Sequence, residues 1–296
     1  MTTMTDTQMT DKETQETGVH EALYGLIGHP LGHSFSQRYF RQKFAKEGID
    51  ADYFNFDIDS ADRLREIVAA HPNLRGLNVT HPYKKDVMPL LDSISPLAQR
   101  IGAVNTIVVS RDEAGKVTLR GYNTDSPGFC ESLDVFAAAH PLDSVTGRDN
   151  PDGDALVRAL VLGTGGASRA VCTALRLRGI EPTMVSRTAG EGRITYADLT
   201  PDVMRMHRFI VNTTPLGTFP DIDSCPPIPY EALTPRHICV DVVYNPAVTL
   251  FMRRAAEAGC AVRNGLRMLT AQADLSWKLW NGEQISENEF SNAPVW

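Results

Sequence analysis

The chain has 296 residues, enough for two compact domains or one large one, and its 42% hydrophobic and 22% charged content is ordinary for a globular protein. Its formal net charge of -7 argues against a nucleic-acid partner, which selects a basic face, yet leaves room for a small anion held by local donors. No uncharged apolar run approaches the roughly 20 residues that span a bilayer.

Residues 1–19 are rich in Thr, Asp, Glu and Gln and lack the apolar stretch of a secretory signal, so they read as a disordered tail. Residues 22–28 (ALYGLIG) form a short apolar run stopped by Gly and Pro, the pattern of a buried strand. Ser34 is placed to cap a helix reaching Glu47, with Phe35, Tyr39, Phe40 and Phe44 at helical spacing. Residues 53–58 alternate like a strand, 61–70 read as a helix, and 74–80 as a strand ended by His81-Pro82. Residues 101–109 and 116–122 read as two strands joined by the tight turn Asp112-Glu113-Ala114-Gly115.

A second series follows a helix expected over 127–139 and a Gly-, Pro- and Asp-rich surface loop over 141–154. Residues 156–162 are a near-continuous apolar strand, then come Gly163-Thr164-Gly165-Gly166-Ala167 and a helix to Arg178. Residues 182–186, 208–213 and 237–243 are three more apolar strands, and leucines at helical spacing after Asn264 close the chain in helices. Apolar strands alternating with helices predict an α/β protein whose second half is a parallel, doubly wound sheet covered on both faces. The five cysteines form no C-x-x-C pair, which suits reduced thiols in a cytoplasmic protein. His29, His33, His81, His207 and His237 show no ligand spacing and read as structural, so no metal is expected.

The glycine-rich turn carries the first chemical signal. Gly163, Gly165 and Gly166 allow the backbone N–H groups of Thr164, Ala167 and Ser168 to approach a pyrophosphate, and the following helix offers its positive end to the same anion. An ordinary loop between strand and helix would look similar, but the flanking strand and helix favour a dinucleotide site, and the absence of G-x-x-x-x-G-K-[ST] disfavours a phosphate-transferring loop. The next strand ends at Ser186-Arg187-Thr188, where NAD-selective domains carry an Asp or Glu for the ribose. A guanidinium there suits the 2′-phosphate of NADP, although an arginine at a strand end can also be plain surface.

Four polar clusters sit at the ends of expected strands: Ser34-Phe35-Ser36, Asn78-Val79-Thr80 with Lys84, Ala103-Val104-Asn105-Thr106, and Asn123-Thr124-Asp125. Open α/β sheets place ligands at such ends. Singly, each has a plainer reading: Ser34 as a helix cap, Lys84 as a solvated lysine beside Lys85, Asn123-Thr124-Asp125 as a turn before Pro127.

Together, His33-Ser34-Phe35-Ser36, Asn78 to Lys84, Gly102 to Thr106, Asn123-Thr124-Asp125, Gly163 to Arg169 and Ala271-Gln272-Ala273 follow one another in an order that resembles the shikimate dehydrogenase family from about Tyr24 to Trp280. The resemblance implies an N-terminal α/β substrate domain over 20–126, completed by helices in 264–296, and a Rossmann-like NADP-binding domain over 127–263. It implies NADPH-dependent reduction of 3-dehydroshikimate to shikimate, with Lys84 and Asp125 as the catalytic pair. Ser34, Ser36, Asn78, Thr80, Asn105, Tyr244 and Gln272 match substrate contacts; Val242 and Gly265 join 163–168 and 186–188 at the cofactor. Quinate dehydrogenases share nearly every motif, and a non-catalytic metabolite-binding protein of the same fold is a rival from another class. The expected partners are small molecules only, with neither nucleic acid nor membrane, in a monomer or homodimer.

Three departures from the family pattern stand out. Gln37 replaces the usual proline after the second serine, and His81 replaces a small apolar residue. After Thr188, Ala189-Gly190-Glu191-Gly192-Arg193 breaks the helix that in the family carries a further basic residue.

Overall fold

A computed structural model describes residues 20–31, 34–139 and 157–286; the expected tail 1–19, His33, the expected loop 141–154 and residues 287–296 lie outside the described residues. Two six-stranded sheets dominate. The first contains β1 (Ala22–Gly28), β2 (Ala51–Asp57), β3 (Leu74–Val79), β4 (Ser93–Ile94), β5 (Thr106–Arg111) and β6 (Val117–Tyr122), in the order β2-β1-β3-β5-β6-β4. Its β2-β1-β3 half is parallel, which demands crossovers, and α1 (Phe35–Glu47) and α2 (Leu64–Ala70) supply them. Its β3-β5-β6 half is antiparallel.

Ser34 caps α1 by accepting from the Gln37 N–H at 3.3 Å, and Gly48 ends the helix at φ 65°, a conformation that favours glycine. Phe40 and Phe44 bury the inner stripe of the helix against Tyr24 and Tyr53. The expected helix over 61–70 is a 3-10 turn at Ala61–Arg63 followed by α2. The strand expected to begin at Ile101 begins at Thr106 instead. Residues Pro96–Ile101 form α3, with Ser95 accepting from the Ala98 N–H, Pro96 at the first position and Gly102 ending it at φ 69°. Those start and stop signals outweigh the apolar alternation that follows them.

The second sheet holds β7 (Val157–Leu162), β8 (Ile180–Ser186), β9 (Arg193–Thr195), β10 (Phe209–Asn212), β11 (Ile238–Asp241) and β12 (Ala261–Arg263), in the order β12-β11-β10-β7-β8-β9. Every pair is parallel, so the sheet reverses its order at β7, the doubly wound arrangement. Ala159 and Val161 pack under α4 (Asp125–Ala139) and α5 (Gly166–Leu177) on one face. Leu160 and Leu162 pack with α7 (Leu250–Glu257) and with Met204 of α6 (Pro201–Met206) on the other. Continuous burial on both faces explains the uninterrupted apolar run in β7. The strands β9 and β12, three residues each, are too short to announce themselves by periodicity.

The last helix, α8 (Leu266–Trp280), crosses back to the first sheet. Its Trp280 stacks on Tyr24 with centroids 4.8 Å apart and donates from Nε1 to the carbonyl of Ile107 at 3.0 Å. The indole lies flat on Gly76 of β3, where any side chain would collide with it. His207 and His237 bond to the backbone carbonyls of Val203 and Met204, and all five cysteines are free thiols. No helix among the described residues is long and apolar enough to cross a membrane.

Candidate active site

Lys84 and Asp125 come from distant parts of the chain and meet at 2.6 Å, Nζ to Oδ2. Lys84 rides on the turn after β3, anchored by the buried Tyr83 hydroxyl donating to the Ile58 carbonyl at 2.6 Å, and by its own carbonyl accepting from Val104 N–H at 2.7 Å. Asp125 opens α4, two residues before the expected start, because Pro127 fits the first turn, where its missing N–H is not needed. The Lys84 side chain is 22% exposed and that of Asp125 9%, so the lysine is the more accessible member of the pair.

Asn105 holds the carboxylate. Its Nδ2 donates to Asp125 Oδ1 at 2.9 Å, and its Oδ1 accepts from the Thr124 N–H at 2.7 Å. Gln272 of α8 brings Oε1 to 3.4 Å from the same Nδ2, while its Nε2 donates to the Leu269 carbonyl. Beneath lies a buried polar layer in which Thr106 and Ser276 hydroxyls are 2.8 Å apart and Asn78 Nδ2 donates to Ser276 Oγ at 3.0 Å. Asn78 Oδ1 in turn accepts from the Tyr53 hydroxyl at 2.8 Å. The Asn78 amide, expected at the substrate, is thus turned inward and spent on the protein; it positions the layer under Asn105. Satisfied networks of this kind fix side-chain geometry.

Ser34 and Ser36 flank the start of α1, with Ser36 beside the Tyr53 hydroxyl. The departure at Gln37 has a structural outcome: its N–H makes the cap bond to Ser34, and its amide bridges the Tyr53 carbonyl at 3.2 Å and Asn55 at 3.1 Å. Proline could make none of these bonds. Between the serines, Phe35 meets Tyr244 edge to face, centroids 5.5 Å apart, joining α1 to the loop after β11. Thr80 follows β3 directly, half-buried, its N–H on the Ile27 carbonyl.

Across from this group stands the glycine turn. Gly163 has φ 114°, outside the range of other residues, and its N–H donates to the Val185 carbonyl at 2.9 Å. Gly165 occupies the cap of α5 without any side-chain cap bond, which leaves the first-turn N–H groups around Gly166, Ala167 and Ser168 to face an anion. The Ser168 hydroxyl points inward to Thr213 Oγ1 at 2.7 Å, so its side chain braces the turn. The stem of Lys84 passes over Gly166, its Cδ 3.4 Å from where a Cβ would stand. No carboxylate ends β8: Ser186 accepts from the Thr188 N–H, and Arg187 is exposed. Gly265 lies so close to the Val242 carbonyl that a side chain would collide with it.

Sequence reasoning missed the support for this edge. Asp241 is fully buried at the end of β11, accepting from Thr249 Oγ1 at 2.6 Å, the Val243 N–H at 3.0 Å and Asn212 Nδ2 at 3.0 Å. Burial pushes its carboxyl up to about 6, against the downward pull of those bonds. The signal was a lone carboxylate ending the apolar run ICVD.

Residues 26–107 match the family model described as the shikimate dehydrogenase substrate binding domain. The NADP(+) shikimate dehydrogenase of Desulforamulus reducens is 36% identical over 87% of this chain and 89% of its own. Among solved structures, the shikimate 5-dehydrogenase of Thermus thermophilus, in complex with NADP(H) and shikimate, is 33% identical, with a TM-score of 0.72 over 91% of this chain and 97% of that one. The quinate dehydrogenase of Corynebacterium glutamicum, in complex with NAD, is 26% identical, with a TM-score of 0.71 over 92% of this chain and 97% of that one. On its sequence, its two sheets and its matched relatives, the chain belongs to the shikimate dehydrogenase family.

Proposed function

We propose that the protein catalyses the reversible, NADP-dependent interconversion of 3-dehydroshikimate and shikimate, in the cytoplasm. The observation that carries this reading is the 2.6 Å Lys84–Asp125 pair placed against Gly166 of the nucleotide turn. The residues fit the cofactor: Gly163 adopts a turn only glycine favours, α5 presents uncapped N–H groups, and Arg187 stands where NAD-selective domains carry an acid. When bound, NADPH supplies the hydride.

The chain supplies the proton and the orientation. As the substrate carbonyl gains negative charge, Lys84 Nζ donates a proton to that oxygen; in the reverse direction the neutral amine takes it back. Asp125 steadies the ammonium, and Asn105 steadies Asp125. Ser34 and Ser36 bind the substrate carboxylate, while Thr80, Tyr244 and Gln272 address its hydroxyls with groups that both donate and accept. Asn105, its own amide spent on Asp125 and Thr124, acts through Asp125. Residues 20–126 with α8 form the substrate lobe, and 127–263 the NADP lobe. Arg187 pairs with the 2′-phosphate.

A second reading, quinate oxidation with NAD, draws on the likeness to the Corynebacterium glutamicum enzyme. Initial rates for shikimate and quinate, each with NADP and NAD, separate the two. Turnover confined to shikimate with NADP supports the proposal; preference for quinate or NAD moves the specificity; no turnover with folded, cofactor-binding protein favours a binding role.

A further inference from the structure

One buried carboxylate grips both ends of the loop that carries Tyr244. Asp241 closes β11, and its Oδ1 accepts at 3.0 Å from the N–H of Val243, the residue before Tyr244. Its Oδ2 accepts at 2.6 Å from the hydroxyl of Thr249, where the loop ends and α7 begins. Thr249 is itself fixed, its Oγ1 accepting from the Met252 N–H at 3.2 Å. Between the two grips lie only Tyr244, Asn245, Pro246, Ala247 and Val248.

The same carboxylate reaches the neighbouring loop. Asn212 ends β10 beside Asp241 in register and donates from Nδ2 to Asp241 Oδ1 at 3.0 Å. Its Oδ1 accepts from Thr214, from the N–H at 3.0 Å and from the hydroxyl at 2.6 Å. Farther along, the Phe219 N–H donates to the Asn245 carbonyl at 3.0 Å. The loops after β10 and β11 are thus one braced unit with Asp241 at its root.

Packing alone does not call for a carboxylate here. Among the described residues Asp241 is met by three hydrogen-bond donors and by no cation, and burying a charge in that way is costly. What a satisfied polar network supplies instead is fixed geometry. Tyr244 needs it: the half-buried ring meets Phe35 edge to face, and its hydroxyl has no hydrogen-bond partner among the described residues. Its aim is therefore set by the backbone that carries it.

We propose that Asp241 is a positioning residue for the reaction, setting through Val243 and Thr249 the loop that aims Tyr244 at the substrate. This rests on the reading of Tyr244 as a substrate contact and deepens it.

The test is initial-rate kinetics with shikimate and NADP for wild type, Asp241→Ala, Asp241→Asn and Thr249→Val, with NADPH affinity read by fluorescence titration. Asp241→Ala should raise the KM for shikimate about tenfold and leave NADPH affinity within about threefold, since the turn Gly163–Ser168 is untouched. Asp241→Asn, which offers an acceptor to Val243 and a donor to Thr249, should bring that KM back to within about threefold of wild type. Thr249→Val keeps the shape and loses the hydroxyl, so it should share the rise, and it reads the same contact if Asp241→Ala does not fold. Combined with Tyr244→Leu, the Asp241→Ala effect should not multiply, because it acts through that ring. A general loss of stability would lower the folded fraction and the apparent kcat while both ligands keep their affinity. That result, equal losses for shikimate and NADPH, or independent effects in the double mutant overturn the proposal. An unchanged KM in Tyr244→Leu also overturns it and leaves the reaction standing, whereas a wild type idle on shikimate overturns both.

Discussion

The aliphatic stem of Lys84 lies across Gly166, so the group at the head of the buried polar layer also touches the turn that faces the pyrophosphate. Lys84→Met keeps most of that stem and removes the proton donor. It should lower kcat by about 100- to 10,000-fold, the range of general acid–base catalysis. Fluorescence titration should show NADPH binding little changed; near-normal turnover would remove Lys84 from the chemistry.

Arg187→Ala should raise the KM for NADP by about 10- to 100-fold and leave that for NAD within about twofold, because only NADP offers a second phosphate to a guanidinium. Parallel rises for both cofactors would place Arg187 outside the 2′-phosphate site.

Asn105→Ala strips Asp125 Oδ1 of one donor and the Thr124 N–H of its side-chain acceptor. Leaving buried groups unpaired should cost about 1–3 kcal/mol of stability, read by denaturant unfolding. The kcat should fall as well, since the Lys84–Asp125 pair loses its brace; a variant of unchanged kcat would show that the brace is dispensable.

Asp241 sets a pH dependence of stability. Its carboxyl titrates near 6 in the fold against 3.8 as a free group, so the fold prefers the protonated form. That contribution is complete below about pH 3.8 and is lost as pH rises through 6, about 3 kcal/mol for a shift of this size. Asp241→Asn, which keeps an acceptor for Val243 and Asn212 and a group for Thr249, should gain stability on wild type between pH 4 and 7. Parallel unfolding curves across that range would contradict the assignment.

Gly76→Ala inserts a methyl group where Trp280 lies on β3. Overpacking should cost about 1–3 kcal/mol and lower the melting temperature, with the indole forced off the Ile107 carbonyl. An unchanged melting temperature would mean that α8 shifts without cost.

Much of this was legible in the sequence where the governing physics is local. The strand β1 and the capped start of α1 follow from an apolar run and from Ser34, and the glycine turn from its spacing. What stayed hidden depends on residues far apart in the chain. The amide of Asn78 turns inward because Ser276, 198 positions later, and Tyr53 meet it there. Likewise nothing in the string SRTAGEGRIT reveals that Arg193 folds back over Gly190, because that contact exists only once the turn between β8 and β9 has formed. The short helix α3 is a different case: its Ser-Pro start and Gly stop are written in the sequence and decide the structure, although the apolar residues after them resemble a strand.

Because α8 seats Trp280 on Tyr24 and Phe40, an earlier-made part of the chain waits for one made much later. Until that helix emerges, the rings of Tyr24, Phe40 and Tyr53 lack their cover, and the buried layer around Asn78 lacks Ser276. The nucleotide-binding sheet completes its strands at β12, before α8. Its strands can therefore pair before the first-made lobe gains its cover, with Met268 of α8 joining its core afterwards.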